Sequence, residues 1–176
     1  MDEGLATVTV FLVRHGLPLK EPGKTPAEWS LDPAGFDAIW ALRESGRLPA
    51  RAAWFSSPEP KATETAQLLT DGGVGIVDEL AEQRRETTDH IADFAATVRR
   101  AFAAPDEPAH QGWEPLTACR DRVVTAARRI VEVHDDEDVV LIGHGTAWTL
   151  VAAALSGEDP DLDRWASLAM PDLITI

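Results

Sequence analysis

Thr7-Val8-Thr9-Val10-Phe11-Leu12-Val13-Arg14-His15-Gly16 opens with seven β-branched or apolar residues and closes on an arginine, a histidine and a glycine. The apolar run is continuous rather than alternating, and it is short for a helix. That pattern predicts a strand over 7–13 buried on both faces, as in a parallel sheet under helices. Asp138-Val139-Val140-Leu141-Ile142-Gly143-His144-Gly145 repeats the plan near the other end of the chain, with a strand over 138–142 followed by Gly-His-Gly.

Strand and helix alternate between and around these two stretches. Asp32-Pro33 predicts a helix through about Glu44, with Asp32 as N-cap, Pro33 at the first position and Gly46 as the stop. Residues 52–56 read as a second strand, 59–70 as a helix ended by Gly72-Gly73, and 74–78 as a third, short strand. Residues 88–103 read as an amphipathic helix, and 104–115, with Pro105, Pro108, Gly112 and Pro115, as a loop. Helical periodicity returns over 116–134, with Leu116, Val123, Ala127, Ile130 and Val131 as the expected buried stripe. A helix over 145–155 and a strand near 172–176 complete the chain. The alternation predicts an α/β fold: a three-layer α/β/α sandwich with a mainly parallel central sheet. The length suits one domain over residues 1–176.

The formal net charge of -14 repels nucleic acid and anionic lipid, so neither is an expected partner. No apolar run is long enough to span a bilayer. Met1-Asp2-Glu3-Gly4 is acidic and lacks the basic start of a signal peptide. The single Cys119 allows no internal disulfide and no cysteine-based metal site, and a cytoplasmic protein is expected. Asp135-Asp136-Glu137-Asp138 reads as a solvated turn, since it lacks the ligand spacing and glycine of a calcium loop. In so acidic a chain, any anion site must gather its cations locally.

Ligands of open α/β sheets sit outside the carboxyl ends of the strands. Arg14-His15-Gly16 follows the first predicted strand. Ser57-Pro58 follows the second, with Lys61 at the start of the next helix. Leu80-Ala81-Glu82 lies just beyond the third, and Gly143-His144-Gly145 follows the fourth. Two histidines, an arginine, a lysine and a carboxylate thus converge on one edge of the sheet. His90, His110 and His134 read as surface residues, and no pair has a metal-binding helical spacing. The tryptophans read mostly as core, with Trp113 in the proline-rich loop a candidate for the pocket rim.

These segments resemble the histidine phosphatase superfamily, the phosphoglycerate mutase-like proteins. Phe11-Leu12-Val13-Arg14-His15-Gly16 is similar to its signature, and Ser56-Ser57-Pro58 with Ala62 and Thr65-Ala66 to its second motif. Leu80-Ala81-Glu82 resembles the segment that carries the acid, and Leu141-Ile142-Gly143-His144-Gly145-Thr146 the last motif. Four motifs in order are far more specific than a lone Arg-His-Gly. The resemblance implies a phosphoglycerate mutase-like fold and a phosphohistidine intermediate on His15. Under it His15 attacks phosphorus as a neutral imidazole. Arg14, Gly16, Lys61 and Gly145 bind the phosphoryl group. His144, if protonated, stabilises the equatorial oxygens. Glu82 protonates the leaving oxygen and later deprotonates water. Glu79 and Glu86 stand as competitors for that last role. Arg14, Lys61 and the two histidines do what Mg²⁺ does in other phosphoryl transfers, so no metal and no cofactor are expected. The substrate is a phosphorylated small molecule or a phosphoprotein.

The chain departs from the family pattern at two places. Lys61 stands where the second motif usually supplies an arginine, which keeps the charge and loses the two-pronged fork. After the signature, many relatives carry a polar Thr and Asn; this chain reads Leu17-Pro18-Leu19-Lys20-Glu21. A carboxylate at Glu21 repels phosphate unless it points away or pairs with Lys20 or Lys24. The mutase insertions are absent, which favours a small phosphatase over a mutase. A weakly catalytic phospho-ligand-binding module is the alternative from outside enzymology. Arg84 and Arg85 fit either an additional anionic group or plain solvation.

Overall fold

The apolar run after Met1–Ala6 becomes the inner part of a five-stranded sheet in the computed structural model, which describes residues 7–176. β1 (Val10–Arg14) pairs in parallel with β4 (Val139–Gly143), and Leu12 lies opposite Leu141. β2 (Ala53–Ser56) runs parallel to β4 on its other side and to the two-residue β3 (Gly75–Ile76) beyond. β5 (Asp172–Thr175) closes the opposite edge, antiparallel to β1, so the order is β3-β2-β4-β1-β5. Met1–Gly4, read above as an acidic start, lie outside the described residues.

All five residues of β4 are buried, and their alternation separates two cores. Val139 and Leu141 face α4 (Leu116–Val133) and α5 (Gly145–Ser156), packing with Cys119, Val123, Ala127 and Trp148. Val140 and Ile142 face α1 (Phe36–Glu44) and α2 (Pro60–Leu69), packing with Ile39, Leu42, Ala62 and Ala66. The fold is therefore a three-layer sandwich with a mainly parallel sheet. A continuous apolar strand is what such a position requires, since each successive side chain meets a different helical layer.

Several boundaries differ from the sequence expectation for local reasons. β1 begins at Val10, because the Thr9 N–H goes to the Asp138 carboxylate (3.0 Å) instead of to a strand. The Asp32 carboxylate accepts from Ala34 N at 2.9 Å, but the turn it starts, Pro33–Gly35, is a 3-10 turn that delivers the chain to α1 at Phe36. α3 (Phe94–Ala103) starts well after residue 88, at the point where Asp93 caps it by accepting from Ala96 N (2.9 Å). β3 stops early as the chain turns into a 3-10 turn, Asp78–Leu80, that buries Leu80. On α4 the buried stripe includes Cys119 and Val124, while Ile130 and Val131 are only partly covered. α6 (Leu162–Ser167) was not anticipated. Three of the six tryptophans, Trp113, Trp148 and Trp165, are buried, and Trp40 is exposed. Among the described residues no helix is long and apolar enough to cross a membrane.

Candidate active site

The carboxyl ends of β1, β4 and β2 lie side by side. Arg14 is in register with Gly143, His15 N donates to the Gly143 carbonyl (2.8 Å), and Ser57 N donates to that of Ile142 (2.9 Å). These bonds carry the sheet's register one residue beyond its strands and set His15, Ser57 and His144 next to one another. The two imidazole centroids are 5.3 Å apart with their planes at 61°.

His15 is 6% exposed. Its Nδ1 lies 2.6 Å from the Gly16 carbonyl oxygen. A carbonyl can only accept, so Nδ1 carries the proton and Nε2 keeps its lone pair. Burial first, then His144 and Lys61, hold the imidazole well below its ordinary pKa, in the neutral form a nucleophile needs. Gly16 locks the turn: its N–H donates to Thr65 Oγ1 (3.0 Å), which donates to the Lys61 carbonyl (2.7 Å). A Cβ at Gly16 would sit 2.5 Å from Ile39 Cδ1, so a side chain has no room there.

His144 caps α5 in extended conformation and is 1% exposed. Its Nε2 lies 2.7 Å from Ser57 Oγ. That hydroxyl also accepts from Glu59 N (3.3 Å) and has one proton to give, which we assign to Nε2. The imidazole proton then sits on Nδ1, which is buried and has no partner among the described residues. Burial and the charge of Lys61 push the His144 pKa down to about 3. Burial thus favours the neutral imidazole over the protonated form that the motif allows. Beneath the site, Trp148 Nε1 donates to the Val13 carbonyl (2.8 Å), and its ring fills the space a Cβ at Gly143 would take.

Arg14 is held by one prong, with Nη1 donating to the Leu168 carbonyl at 2.7 Å. Its Nε is buried and has no partner among the described residues. Gly145 lies against it; a Cβ there would be 3.4 Å from that nitrogen. Two buried nitrogens, Arg14 Nε and His144 Nδ1 with its assigned proton, thus lack an acceptor among the described residues.

The Glu82 carboxylate rests on the first turn of α5. Oε1 accepts from Gln83 N (2.9 Å) and Ala147 N (2.9 Å), and Oε2 accepts from Thr146 N (3.0 Å). Glu79 and Glu86, its competitors in sequence, are exposed. Arg122 fixes the segment by donating to the carbonyls of Glu79 (3.0 Å), Ala81 (2.7 Å) and Glu82 (3.1 Å), and it pairs with Glu114 at 2.6 Å.

Lys61, at 5% exposure, reaches the Pro26 carbonyl and forms a 2.5 Å ion pair with Glu59. Glu59 was not singled out by the sequence reading. It is 7% exposed, accepts from Glu82 N (3.0 Å), and lies 3.7 Å from His144 Nε2. The signal was an acidic residue two positions before the motif lysine. Glu21 pairs with Lys24 at 2.8 Å, both largely solvated, which removes the expected repulsion from the site. Arg84 is exposed, whereas Arg85 turns inward against Phe94 and Trp113.

Lys61→Ala strands Glu59 as a buried unpaired charge, so it is expected to lower Tm as well as activity. The added change Glu59→Gln removes that charge and should restore Tm. Loss of phosphate contact would leave kcat/KM of the double variant depressed by roughly 1.5–3 kcal/mol, as for a charged hydrogen bond. A double variant with wild-type kcat/KM would remove Lys61 from the phosphate site.

The sequence model of the histidine phosphatase superfamily (branch 1) matches residues 10–173, nearly the whole chain. The chain belongs to the histidine phosphatase superfamily. Solved histidine phosphatase folds agree with the topology described. YhfR of Bacillus stearothermophilus superposes with a TM-score of 0.75 at 21% identity, covering 96% of this chain and 90% of that one. A mycobacterial glucosyl-3-phosphoglycerate phosphatase gives 0.74 at 18% identity, covering 96% and 89%. The phosphoserine phosphatase of Entamoeba histolytica, in complex with 3-phosphoglyceric acid, gives 0.73 at 16% identity over 96% and 89%. No curated protein matches the chain. At these identities the likeness concerns the fold; as a histidine phosphatase superfamily member the chain is read from its own site.

Proposed function

We propose that this protein is a phosphatase that hydrolyses a phosphate monoester, on a small molecule or a phosphoprotein, through a phosphohistidine on His15 and without a metal ion. The observation that carries the reading is the His15 tautomer fixed by the Gly16 carbonyl, with Nε2 bearing the lone pair, together with a buried Arg14 Nε and His144 Nδ1 that have no partner among the described residues. A tetrahedral oxyanion supplies both the electrophile and the acceptors. The printed activities of the glucosyl-3-phosphoglycerate and phosphoserine phosphatases lean the choice toward small molecules. The acidic charge and the single cysteine fit a cytoplasmic enzyme of one domain.

In the first step His15 Nε2 forms a bond to phosphorus as the ester oxygen departs, and Glu82 gives that oxygen a proton. Oε1 of Glu82 already accepts two N–H bonds, whereas Oε2 accepts one, so Oε2 is the atom with a lone pair free to hold the proton. In the second step water attacks phosphorus, Glu82 takes its proton, and the N–P bond breaks to release inorganic phosphate and neutral His15. Arg14 and the His144 Nδ1–H hold the equatorial oxygens, the preorganised stabilisation that metal ions give elsewhere.

Purified protein is expected to hydrolyse p-nitrophenyl phosphate with undiminished rate after EDTA treatment. Absence of hydrolysis would favour the phospho-ligand-binding alternative. Loss on chelation with recovery on adding one divalent metal would overturn the metal-free reaction.

A further inference from the structure

We infer that Arg85 is a specificity residue that binds a second anionic group, a carboxylate or a second phosphate, on the leaving-group side of the substrate; this rests on the phosphatase reading above. The guanidinium is partly buried, and its Nη2 reaches only neutral acceptors, Gln83 Oε1 (3.2 Å) and Thr146 Oγ1 (3.1 Å). Its Nε is buried with no partner among the described residues. Among the described residues no carboxylate lies within ion-pair distance of it; Glu82, Glu59 and Glu114 act on it only from farther away, and its flanking acceptors are neutral. An unpaired inward-facing cation is costly, and a natural partner for it is an anion brought by the ligand.

The surroundings say which part of the ligand. The guanidinium carbon lies 4.5 Å from the Trp113 ring centroid and 4.9 Å from that of Phe94, so both aromatics pack against the flat group and fix its direction. Trp113 Nε1 is itself a buried donor without a partner among the described residues, so N–H groups outnumber acceptors here. Thr146, which Arg85 touches, gives its own N–H to Glu82 Oε2. Arg85 and the oxygen that protonates the leaving group therefore share one turn of α5, while Arg14 serves the phosphoryl side. An anionic substituent on the departing alcohol meets Arg85.

The test compares kcat/KM within matched pairs: phosphoserine against phosphoethanolamine for a carboxylate, and fructose 1,6-bisphosphate against fructose 6-phosphate for a second phosphate. Wild-type protein is expected to favour the more anionic member of at least one pair by tenfold or more, and which pair identifies the group. Arg85→Gln should bring that ratio close to one, and Arg85→Lys should restore part of it. A wild type with no preference in either pair overturns the inference. So does an Arg85→Gln protein whose two rates fall equally, because that outcome makes Arg85 a structural residue or a ligand of the reacting phosphoryl group. If wild-type protein hydrolyses none of these and no p-nitrophenyl phosphate, the phosphatase reading fails on its own. Calorimetric binding of the same pairs then decides: tighter binding of the anionic member, lost in Arg85→Gln, upholds the role of Arg85, and equal binding ends it.

Discussion

His15→Ala is expected to abolish turnover, by roughly 10³–10⁶-fold as for other nucleophile deletions. Rapid quench of wild-type protein with substrate should label it with an acid-labile, base-stable phosphoryl group that the variant lacks. The size of the effect follows from geometry: His144, the other imidazole, is tied through Nε2 to Ser57 and directs no free lone pair at the substrate. The pH dependence follows from burial. His15 is held well below its ordinary 6.5, so kcat/KM should show no loss centred there as pH falls; the acid limb should lie lower. Stability has the opposite sensitivity. Below about 6.5 the unfolded chain binds protons at His15 and His144 that the folded chain does not, so stability falls as pH drops through that range. A His15→Ala protein that hydrolyses phosphate esters at the wild-type rate would exclude His15 as nucleophile.

The layers of the fold were legible because the strands are buried on both faces. Val139–Gly143 has no polar side to mislead the periodicity, and the acidic run before it and Gly145 after it mark its ends. What sequence periodicity missed was set by single polar groups. The helix expected from residue 88 waits for Asp93, because a carboxylate bonded to Ala96 N begins a helix more effectively than apolar spacing does. β3 is short because Leu80 is drawn into the core by a 3-10 turn, a tertiary pull that a strand-like composition over 74–78 does not show.

At the site, sequence order located the groups but not their partners. His15, His144, Arg14 and Glu82 do meet at the strand ends, because the parallel strands bring each following loop to one edge. Their electrostatics depended on burial, which motifs do not record. His144 reads as a cation beside a phosphate until its near-complete burial is known; the cost of charging it there outweighs the attraction of Glu82. Lys61 reads as a free positive charge until Glu59, the N-cap of the same helix, is found at 2.5 Å. Arg84 and Arg85 are adjacent and alike in sequence. The rings of Phe94 and Trp113 and the oxygens of Gln83 and Thr146 distinguish the inward-turned Arg85 from the solvated Arg84.

Glu82→Gln should separate substrates by the basicity of their leaving groups. An alkoxide leaves with a high proton affinity, so its departure needs a donor; p-nitrophenolate leaves without one. General acid assistance is worth about 10²–10⁴-fold, and that loss is expected on an alkyl phosphate, with a much smaller loss on p-nitrophenyl phosphate. The amide keeps an acceptor oxygen for the backbone, but it places an NH₂ group against the N–H of α5 or of Gln83, so a moderate drop in Tm is also expected. Glu82→Asp separates the two effects: it retains a proton carrier but withdraws it by one methylene from Thr146 and Ala147. The aspartate should recover more alkyl phosphatase activity than Tm if Oε2 delivers the proton, and more Tm than activity if the carboxylate only caps the helix. Equal losses of Glu82→Gln on both substrates would argue against proton donation, and a larger leaving-group effect at Glu79 or Glu86 would move the role there.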